Sequence, residues 1–521
     1  MSNKLQFMVG PPGTGKTSTF ITSKYVELLK KFNYEKIIIL SHTNVAADEI
    51  KDEILKLPEM KGVTKTALEH NICTIHHYCK KKATIGEQVL DYDDYKNLCI
   101  IDSIFQRHKV TESEFNNREH GYFKFVKEAY GFNRSLKEHW KISNKKYHGY
   151  SINNIENMVP IVEKYNKENG KLDFPDMIKR FIDKSKNPDI KALIVDEAQD
   201  SNKPQKIALD KISRNADEYW FVGDPDQTIF EWAGADAREF YELSKGAKEL
   251  EQGHRCSQTI NALCKEIIKP IWDYYGTHRI WKPTDIVGKH HKLASLSRDC
   301  SSLQLLINKI KNTKETFLFT YRQKPVDAWI RKFLIRHGIQ FAYLENSPYV
   351  SNKELECHKL WPKFIKGKPM SLKQIKDFWN YMGSKVVVRG EGQYDFEDWI
   401  DKDYTIHDLI KLNLLKQSSV QEKDFTLIAL KNGLKQEEFD KKMIYIKKVI
   451  RQGGLDEKPR VKYANIHKVK GLTFDNVIVD NSRFQPEDYF TQLRLKYVAY
   501  SRGKYDCWTI ASQDKYTLGV R

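Results

Sequence analysis

The stretch Phe7-Met8-Val9-Gly10-Pro11-Pro12-Gly13-Thr14-Gly15-Lys16-Thr17 decides the fold of this chain. It contains the pattern G-x-x-x-x-G-K-T, with an apolar run before it and a helical pattern after it. Glycines let successive backbone N–H groups point at phosphate oxygens, and the helix that follows adds its positive end. We expect Lys16 to reach the β- and γ-phosphates of a nucleotide, and the Thr17 hydroxyl to hold Mg²⁺. The predicted nucleotide-binding residues are Gly10, Pro11, Pro12, Gly13, Thr14, Gly15, Lys16 and Thr17.

Length, charge and cysteine content restrict the class of protein. At 521 residues the chain is too long for one hydrophobic core, and we expect about three or four domains. The net charge of +18 favours a polyanionic partner, above all nucleic acid. The eight cysteines include no C-x-x-C pair, so reduced thiols are expected rather than a zinc site. With no signal peptide and no apolar run of membrane-spanning length, the predicted location is the cytoplasm, without membrane contact.

A second apolar run supplies the acidic half of the predicted site. Residues 192–195 form a four-residue strand pattern, and Asp196 and Glu197 follow it directly. Ligands bind at the carboxyl ends of parallel strands, so we expect Asp196 to hold the magnesium shell. Glu197 is then placed to orient or deprotonate the attacking water. A solvated acidic pair is the alternative, and the phosphate-binding loop upstream argues against it.

Three further buried strands are predicted, at residues 37–40, 72–75 and 219–222. The last of them leads to Gln227, which is placed to sense the γ-phosphate. Phe230 and Trp232 follow, alternating with polar residues, and they suggest a loop that senses nucleotide and also touches bases. Packing in the core is the alternative for both rings.

Two stretches outside these strands have a different character. From about residue 80 to 169, strand patterns vanish and Lys and Arg mix with aromatic residues, which predicts a mostly helical insertion. We expect its rings to pack as a small core of their own rather than as a base-stacking surface; they are Tyr122, Phe123, Phe125, Tyr130, Phe132, Trp140, Tyr147 and Tyr150. In the second stretch, Phe439, Met443, Ile446 and Ile450 predict an amphipathic helix. Residues 476–479 predict the last strand of the chain.

The order of these motifs resembles that of the UvrD/PcrA/Rep-type superfamily 1 DNA helicases. The phosphate-binding loop is similar to motif I, residues 41–47 to motif Ia, and Thr74-Ile75-His76 to motif Ib. Asp196-Glu197-Ala198-Gln199-Asp200 matches the D-E-x-Q-D of motif II, and residues 223–235 resemble motif III. Residues 251–256, 466–474 and 497–503 are similar to motifs IV, V and VI, and Phe319-Thr320-Tyr321-Arg322 to the L-Y-R segment that follows motif IV. The resemblance therefore runs from the first strand almost to the end of the chain.

This resemblance implies the architecture. The fold class would be α/β, with two RecA-like P-loop domains built on parallel sheets, each carrying a mainly helical insertion. The first domain would comprise residues 1–80 and 166–248, with an insertion at 81–165. The second would comprise residues 249–345 and 456–521, with a short insertion at 346–455.

The resemblance also implies the activity, a DNA-stimulated ATP hydrolase that uses ATP and Mg²⁺ and unwinds DNA. It would translocate 3′ to 5′ on single-stranded DNA, in replication, repair or recombination. The catalytic residues would be Lys16, Glu197, Gln227 and two arginine fingers from the second domain, Arg255 and Arg502. The DNA contacts would be Thr43, Asn44, Thr74, His76, Phe230, Trp232 and His467, with an ordinary loop histidine as the alternative for His467.

The implied partners are single-stranded DNA, junctions of single and double strands, and a replication or repair protein, with the chain acting as a monomer. Two alternatives stay open. One is a single-strand translocase that strips proteins but unwinds poorly, which the short second insertion favours; the other is an ATP-gated DNA-binding switch that acts with a nuclease. A small-molecule kinase is a more distant alternative. The Lys- and Asn-rich composition and compact size are typical of a viral source, such as a phage in its host's cytoplasm, or of a low-GC bacterium.

The chain departs from the family pattern at several positions. His42 stands where motif Ia usually has a stacking Phe, Ala233 where motif III has Arg, and Thr473 where motif V has Glu. Nine residues precede Gly10, where the family carries a Gln segment that reads adenine. These differences are expected to weaken the coupling between nucleotide and DNA without removing ATP hydrolysis.

Overall fold

The computed structural model describes residues 5–83, 86–107, 109–112, 115, 120–143, 150–296, 300–344, 349–379, 388, 399–421, 436–452, 459–481 and 488–510. The chain divides into two compact units. The first unit comprises Met1–Val287 with Pro486–Ser501, and the second comprises Gly288–Gln485 with Arg502–Arg521.

The strands of the described residues are numbered in chain order. In the first unit they are β1 (Leu5–Val9), β2 (Ile37–Ser41), β3 (Ile72–Thr74), β4 (Gln88–Val89), β5 (Lys171–Leu172), β6 (Ala192–Val195), β7 (Glu218–Gly223) and β8 (Lys248–Glu249). In the second unit they are β9 (His290–Leu293), β10 (Phe317–Tyr321), β11 (Phe341–Tyr343), β12 (Met370–Ser371), β13 (Asp403–Tyr404), β14 (Val461–Asn465), β15 (Phe474–Asp480) and β16 (Gly503–Ile510). The predicted strands at 37–40, 72–75, 192–195 and 219–222 are confirmed, to within one residue at each end.

The first unit is built on a six-stranded sheet with the order β3-β2-β6-β7-β1-β8. Every neighbouring pair in it is parallel. The carboxyl ends of all six strands therefore meet at one edge. The phosphate-binding loop follows β1, Asp196 follows β6, and Gln227 lies shortly after β7, which runs between them. This order brings three segments that are far apart in the sequence to one edge of the sheet.

Both faces of this sheet are covered, which explains the continuous apolar runs in its strands. Val9, Leu40 and Val195 belong to the core on one face. Their chain neighbours Met8, Ile39 and Ile194 belong to the core on the other face. The α-helices of this unit outside the insertion are Thr22–Leu29, Asn44–Ile54, Lys65–Leu68, Ile75–Ala83, Phe174–Lys184, Lys203–Ile212, Ala237–Leu243, Gln258–Tyr275 and Tyr489–Tyr500.

The helical insertion forms a core of its own, as predicted. Its helices are Tyr92–Ile101, Ser103–Arg107, Gly121–Gly131, Leu136–Ile142 and Ile152–Asn169, and a short parallel pair, β4 and β5, closes its base. Tyr122, Phe123, Phe125 and Tyr150 are buried in that core, and Trp140 packs against it. Tyr130 instead packs against the core of the first sheet. Tyr147 lies outside the described residues.

The second unit repeats the architecture with a six-stranded parallel sheet, ordered β11-β14-β10-β15-β16-β9. Its helices are Ser301–Asn312, Lys324–His337, Asn352–Phe364, Leu372–Trp379, Ile406–Lys411 and Gln436–Arg451. The prediction that the strand at 476–479 is the last one was wrong, because β16 follows it. Cys507, Trp508 and Ile510 are buried there, between β15 and β9.

The predicted amphipathic helix near residue 443 is confirmed as Gln436–Arg451. Met443, Ile446 and Val449 are buried in the core around the second sheet. A separate small cluster, from Cys357 to Leu415, gives the short insertion its own core. No helix of the described residues is both long and apolar enough to cross a membrane.

The boundary between the two units lies later in the chain than the sequence motifs suggest. Residues 249–287 and the helix Tyr489–Tyr500 pack with the first unit. Backbone hydrogen bonds explain this placement: Leu250 N donates to Val9 O at 2.9 Å, and His254 N donates to Gly13 O at 2.8 Å. Arg255 therefore lies in the same compact unit as the phosphate-binding loop.

Candidate active site

The phosphate-binding loop is held in shape by its own backbone and by β7. Gly10 N donates to Gly223 O at 3.1 Å, and Thr14 Oγ1 donates to Pro11 O at 2.8 Å. Gly13 and Gly15 have φ angles of +73° and +79°, in the left-handed region that glycine tolerates best. The helix begins immediately afterwards with a π turn, Lys16–Ile21, which continues as Thr22–Leu29.

The glycines of this loop are also required by space. A Cβ on Gly15 would lie 2.5 Å from Thr19 Oγ1. A Cβ on Gly13 would lie 2.5 Å from the Cβ of Arg255. The loop is thus packed tightly against both its own helix and the segment that carries Arg255.

Lys16 is buried at the centre of the site. Its Nζ donates to Gly10 O at 2.7 Å and to Pro11 O at 3.3 Å. Burial lowers the pKa of Lys16, and the carboxylates of Asp224, Glu197 and Asp196 oppose that shift. The ammonium group therefore lies among carboxylates: it would balance the charge of a polyphosphate, and the carboxylates would balance the charge of a metal ion.

Thr17 and Asp196 form a pair with the chemistry of a magnesium site. Thr17 Oγ1 donates to Asp196 Oδ2 at 3.2 Å, while Asp196 Oδ1 is buried and has no hydrogen-bond partner among the described residues. Burial, and next the neighbouring Glu197, raise the pKa of Asp196 to about 7. A hard divalent cation prefers oxygen ligands and would hold this carboxylate ionised. The two residues present fit Mg²⁺.

Glu197 is linked to the loop after β7 by a residue to which the sequence analysis gave no role. Gln199 donates through Nε2 to Glu197 Oε2 and accepts through Oε1 from Asp224 N at 3.1 Å. Asp224 Oδ2 in turn accepts from Gln227 Nε2 at 2.9 Å. Glu197 itself has a φ of +52°, the left-handed conformation, directly at the end of β6. Gln199 lies in the segment similar to motif II, and Asp224 lies in the segment similar to motif III. Their place in these segments was the only sign in the sequence that they belong to the site.

The two candidate arginines lie in different units. Arg255 is half-buried, and its Nη1 donates to Ser501 O at 3.4 Å. Burial lowers the pKa of Arg255, against the effect of Cys256, Glu197 and Glu49. Arg502 belongs to the second unit, where it is buried and its Nη1 donates to Leu472 O at 3.4 Å.

The candidate DNA contacts near motifs Ia and Ib lie at the carboxyl ends of β2 and β3. Thr43 and Asn44 are exposed, and Thr43 Oγ1 also caps the following helix by accepting from Ala46 N at 3.2 Å. Thr74 Oγ1 accepts from His77 N at 3.2 Å. The ring of His76 lies edge-on to that of Phe174, 5.6 Å away.

Phe230 and Trp232 lie together on the loop after β7, with ring centroids 6.3 Å apart. Trp232 is 48% exposed, so it is not a core residue. Glu231, between the two rings, accepts from Arg494 Nη1 at 3.0 Å and from Thr491 Oγ1 at 2.6 Å. These bonds fix the loop to the helix Tyr489–Tyr500.

The same loop meets the insertion at a close backbone contact. A Cβ on Gly234, which has a φ of +93°, would lie 2.2 Å from Gly131 O. A Cβ on Gly131 would lie 2.4 Å from Ala233 O. Ala233 stands where motif III usually has Arg. At this contact it contributes its backbone carbonyl, which packs against Gly131.

His467, the remaining candidate, lies in the second unit on the short 3₁₀ turn Ile466–Val469. Its backbone N and its ring Nδ1 both face Asn465 Oδ1, at 3.1 and 3.0 Å. Asn465 Nδ2 donates to Arg322 O at 2.7 Å, which ties this turn to the end of β10.

Comparison with known proteins agrees with this geometry. Residues 2–248 match the sequence model of the UvrD/REP helicase N-terminal domain. A probable DNA helicase II homolog of Mycoplasma pneumoniae is 27% identical over 294 residues, covering 50% of this chain and 39% of the relative. A probable DNA helicase II homolog of Mycoplasma capricolum is 25% identical over 358 residues, 63% of this chain and 47% of the relative.

The ATP-dependent DNA helicase PcrA of Staphylococcus aureus is 25% identical over 281 residues, 49% of this chain and 37% of that protein. This chain therefore aligns with less than half the length of each of these three relatives. The matched region, residues 2–248, contains the phosphate-binding loop, the acidic pair and the loop after β7. The first half of the chain is therefore similar to the N-terminal domain of the UvrD/REP helicases, and its relatives are named as DNA helicase II homologs and PcrA.

Proposed function

We propose that this protein is an ATP-dependent DNA helicase that moves along single-stranded DNA. The observation that carries the proposal is the Thr17–Asp196 pair at 3.2 Å beside the buried Lys16, in a domain that matches the UvrD/REP helicases. A phosphate-binding loop facing a strand-end carboxylate is the arrangement that phosphoryl transfer to water requires.

The roles of the site residues follow from their positions. Lys16 and the loop amides would hold the β- and γ-phosphates, and Thr17 with Asp196 would hold Mg²⁺, which neutralises charge on the phosphates. Glu197 would orient or deprotonate the attacking water. Gln227, tied to Asp224, would sense whether the γ-phosphate is present.

Two arginines are proposed to complete the charge stabilisation. Arg255 packs against Gly13 of the loop, which supports a role close to the phosphates. For Arg502 the support is its position in motif VI. We propose that each stabilises the charge of the transferring phosphoryl group. An arginine finger of this kind can raise the rate of hydrolysis by several orders of magnitude.

We propose that the protein binds single-stranded DNA and reaches it from a junction of single and double strands. The exposed Trp232 offers a stacking surface, Thr43 and Asn44 offer polar contacts, and the net charge of +18 favours the phosphate backbone. Affinity for DNA should then fall steeply as the salt concentration rises. We propose movement from 3′ to 5′ and a role in replication, repair or recombination because the chain resembles the UvrD/PcrA/Rep-type helicases.

A fork-unwinding assay tests the proposal, with Lys16→Ala and Glu197→Gln as inactive controls. Unwinding by the wild type and by neither variant supports the helicase. Translocation without strand separation would instead indicate the protein-stripping motor, and DNA-stimulated hydrolysis without either would indicate the ATP-gated switch. If DNA does not stimulate hydrolysis at all, the proposal is wrong. Forks with reversed tail polarity decide the direction.

A further inference from the structure

A buried charge cluster lies directly behind Gln227. It consists of Asp224, Asp226 and Arg279, and both carboxylates are fully buried. Arg279 Nη1 lies 3.3 Å from Asp224 Oδ1 and 4.0 Å from Asp226 Oδ2. One guanidinium therefore serves two carboxylates, in a place where no solvent can screen them.

Asp224 is the member of the cluster that contacts Gln227. Its Oδ2 accepts from Gln227 Nε2 at 2.9 Å and from Tyr497 Oη at 3.4 Å. Its Oδ1 accepts from Asp226 N at 3.0 Å as well as from Arg279. The carboxylate is thus held on both oxygens, and its orientation sets where the Gln227 amide can lie.

Asp226 anchors the cluster to two helices. Its Oδ2 accepts from Trp272 Nε1 at 2.7 Å, and its Oδ1 accepts from Tyr241 Oη. The guanidinium of Arg279 lies 5.9 Å from the centre of the Tyr241 ring. These bonds fix Asp226, and the Arg279 guanidinium balances the charge of both carboxylates.

Charge balance gives Arg279 a function beyond packing. Burial, and next Asp226, raise the pKa of Asp224 to about 6, while Lys16 and Arg279 act in the opposite direction. Tyr497 is a further titratable group that faces this carboxylate. Without the guanidinium, a protonated Asp224 would become a hydrogen-bond donor, and its contact with the Gln227 amide would reorganise.

We infer that Arg279 is a positioning residue, which holds Gln227 in its working orientation by fixing the Asp224 carboxylate between the guanidinium and the Gln227 amide. The inference rests on the proposed ATP hydrolysis and adds to it a residue outside the motifs quoted above. Arg279 lies just beyond the helix Gln258–Tyr275, on a segment whose sequence gives no sign of a link to Gln227.

A double-mutant cycle on ATP hydrolysis tests this inference, with an oligo-dT strand as the DNA. Arg279→Gln is combined with Gln227→Ala, and Arg279→Lys serves as the conservative variant. Because the arginine is proposed to act through Gln227, we expect Arg279→Gln to lower kcat roughly tenfold alone and less than about twofold when Gln227 is already Ala. KM for ATP should change less than about threefold, and Arg279→Lys should recover most of kcat.

Matched controls separate this role from a general loss of structure. Arg180→Lys alters an arginine paired with Glu87 far from these residues in sequence, and should leave kcat unchanged. Thermal unfolding of every variant shows whether it is folded at the assay temperature. If Arg279→Gln does not fold, Asp224→Asn replaces it in the cycle, since Arg279 is proposed to act through the Asp224 carboxylate. A loss from Asp224→Asn that persists in full when Gln227 is Ala would then overturn the inference.

The outcomes are distinct from those that test the proposed function. If the wild type does not hydrolyse ATP, the proposed function fails before the cycle begins. If the wild type is active but the losses from Arg279 and Gln227 multiply as independent effects, Arg279 is only structural and the inference is overturned. Loss of kcat by Arg180→Lys to the same degree would overturn it as well.

Discussion

The hydroxyl of Thr17 lies 3.2 Å from Oδ2 of Asp196, although 179 positions separate them in the sequence. Thr17 follows β1 and Asp196 follows β6, and β7 lies between those strands in the sheet. The parallel order of the sheet therefore creates a pair of oxygen ligands that neither segment has alone. Within the described part of the chain, Oδ1 of Asp196 has no hydrogen-bond partner, so it is free to serve as a ligand.

The Thr17 hydroxyl should set the magnesium requirement. Thr17→Val keeps the shape of the side chain but removes the oxygen, so the Mg²⁺ concentration for half-maximal ATP hydrolysis should rise at least about tenfold. Thr17→Ser keeps the oxygen and should stay within about threefold of the wild type. A magnesium titration at fixed ATP measures both, and equal behaviour of the two variants would contradict the assignment. Chelation with EDTA should abolish hydrolysis in all of them.

Asp196 should make stability depend on pH when no metal is bound. Its pKa is raised from 3.8 to about 7, so between those values the folded state keeps a proton that the unfolded state has lost. Its contribution therefore destabilises the fold progressively as the pH rises from about 4 to 7. Asp196→Asn cannot ionise, and its unfolding midpoint in EDTA should exceed that of the wild type by a margin that grows from pH 5 to pH 8.

Two comparisons check this pH effect. Asp401→Asn, at an exposed position in the second unit, should show no such margin at any pH. Mg²⁺ should raise the midpoint of the wild type more than that of Asp196→Asn, since the variant lacks the charged ligand. A margin that is the same at pH 5 and pH 8 would refute the assignment of the effect to Asp196.

The backbone contact between Gly234 and Gly131 should be intolerant of a methyl group. Gly234 and Gly246 both have positive φ angles, +93° and +76°, but a Cβ on Gly246 would meet nothing within 4 Å. Alanine at either position carries the conformational cost, and only Gly234→Ala adds a clash with Gly131 O. We expect Gly234→Ala to lose about 1–3 kcal/mol more than Gly246→Ala in denaturant unfolding. Equal losses would mean that the contact yields freely.

Trp232 should contribute to DNA affinity rather than to stability. Trp232 and Trp329 are both 48% exposed, so truncation of either removes a similar surface. Loss of one stacked base at Trp232 should weaken binding of a labelled oligo-dT strand roughly tenfold, whereas Trp329→Ala should bind like the wild type. Fluorescence anisotropy at fixed salt gives both constants. Similar losses from the two variants would show that the effect is not specific to this loop.

The sequence alone determined the elements of the nucleotide site. Local chemistry fixes them: glycines at left-handed positions, a lysine and a threonine at the start of a helix, and a carboxylate pair after an apolar strand all lie in short contiguous segments. The small core of the helical insertion was also predictable, because strand patterns vanish there while aromatic residues remain frequent. The motif order then indicated the resemblance to the helicase family, because it records the order of strand ends along the chain.

Only the tertiary structure decided which side chains meet. Arg279 and Asp224 lie 55 positions apart, and no local pattern connects them, yet they form a buried ion pair. The placement of residues 249–287 with the first unit likewise depends on hydrogen bonds to the phosphate-binding loop rather than on composition. Burial sets the charge state of Asp196 and Asp224, and burial is a property of the folded chain: it results from strands and helices that are distant in sequence and close around one sheet edge.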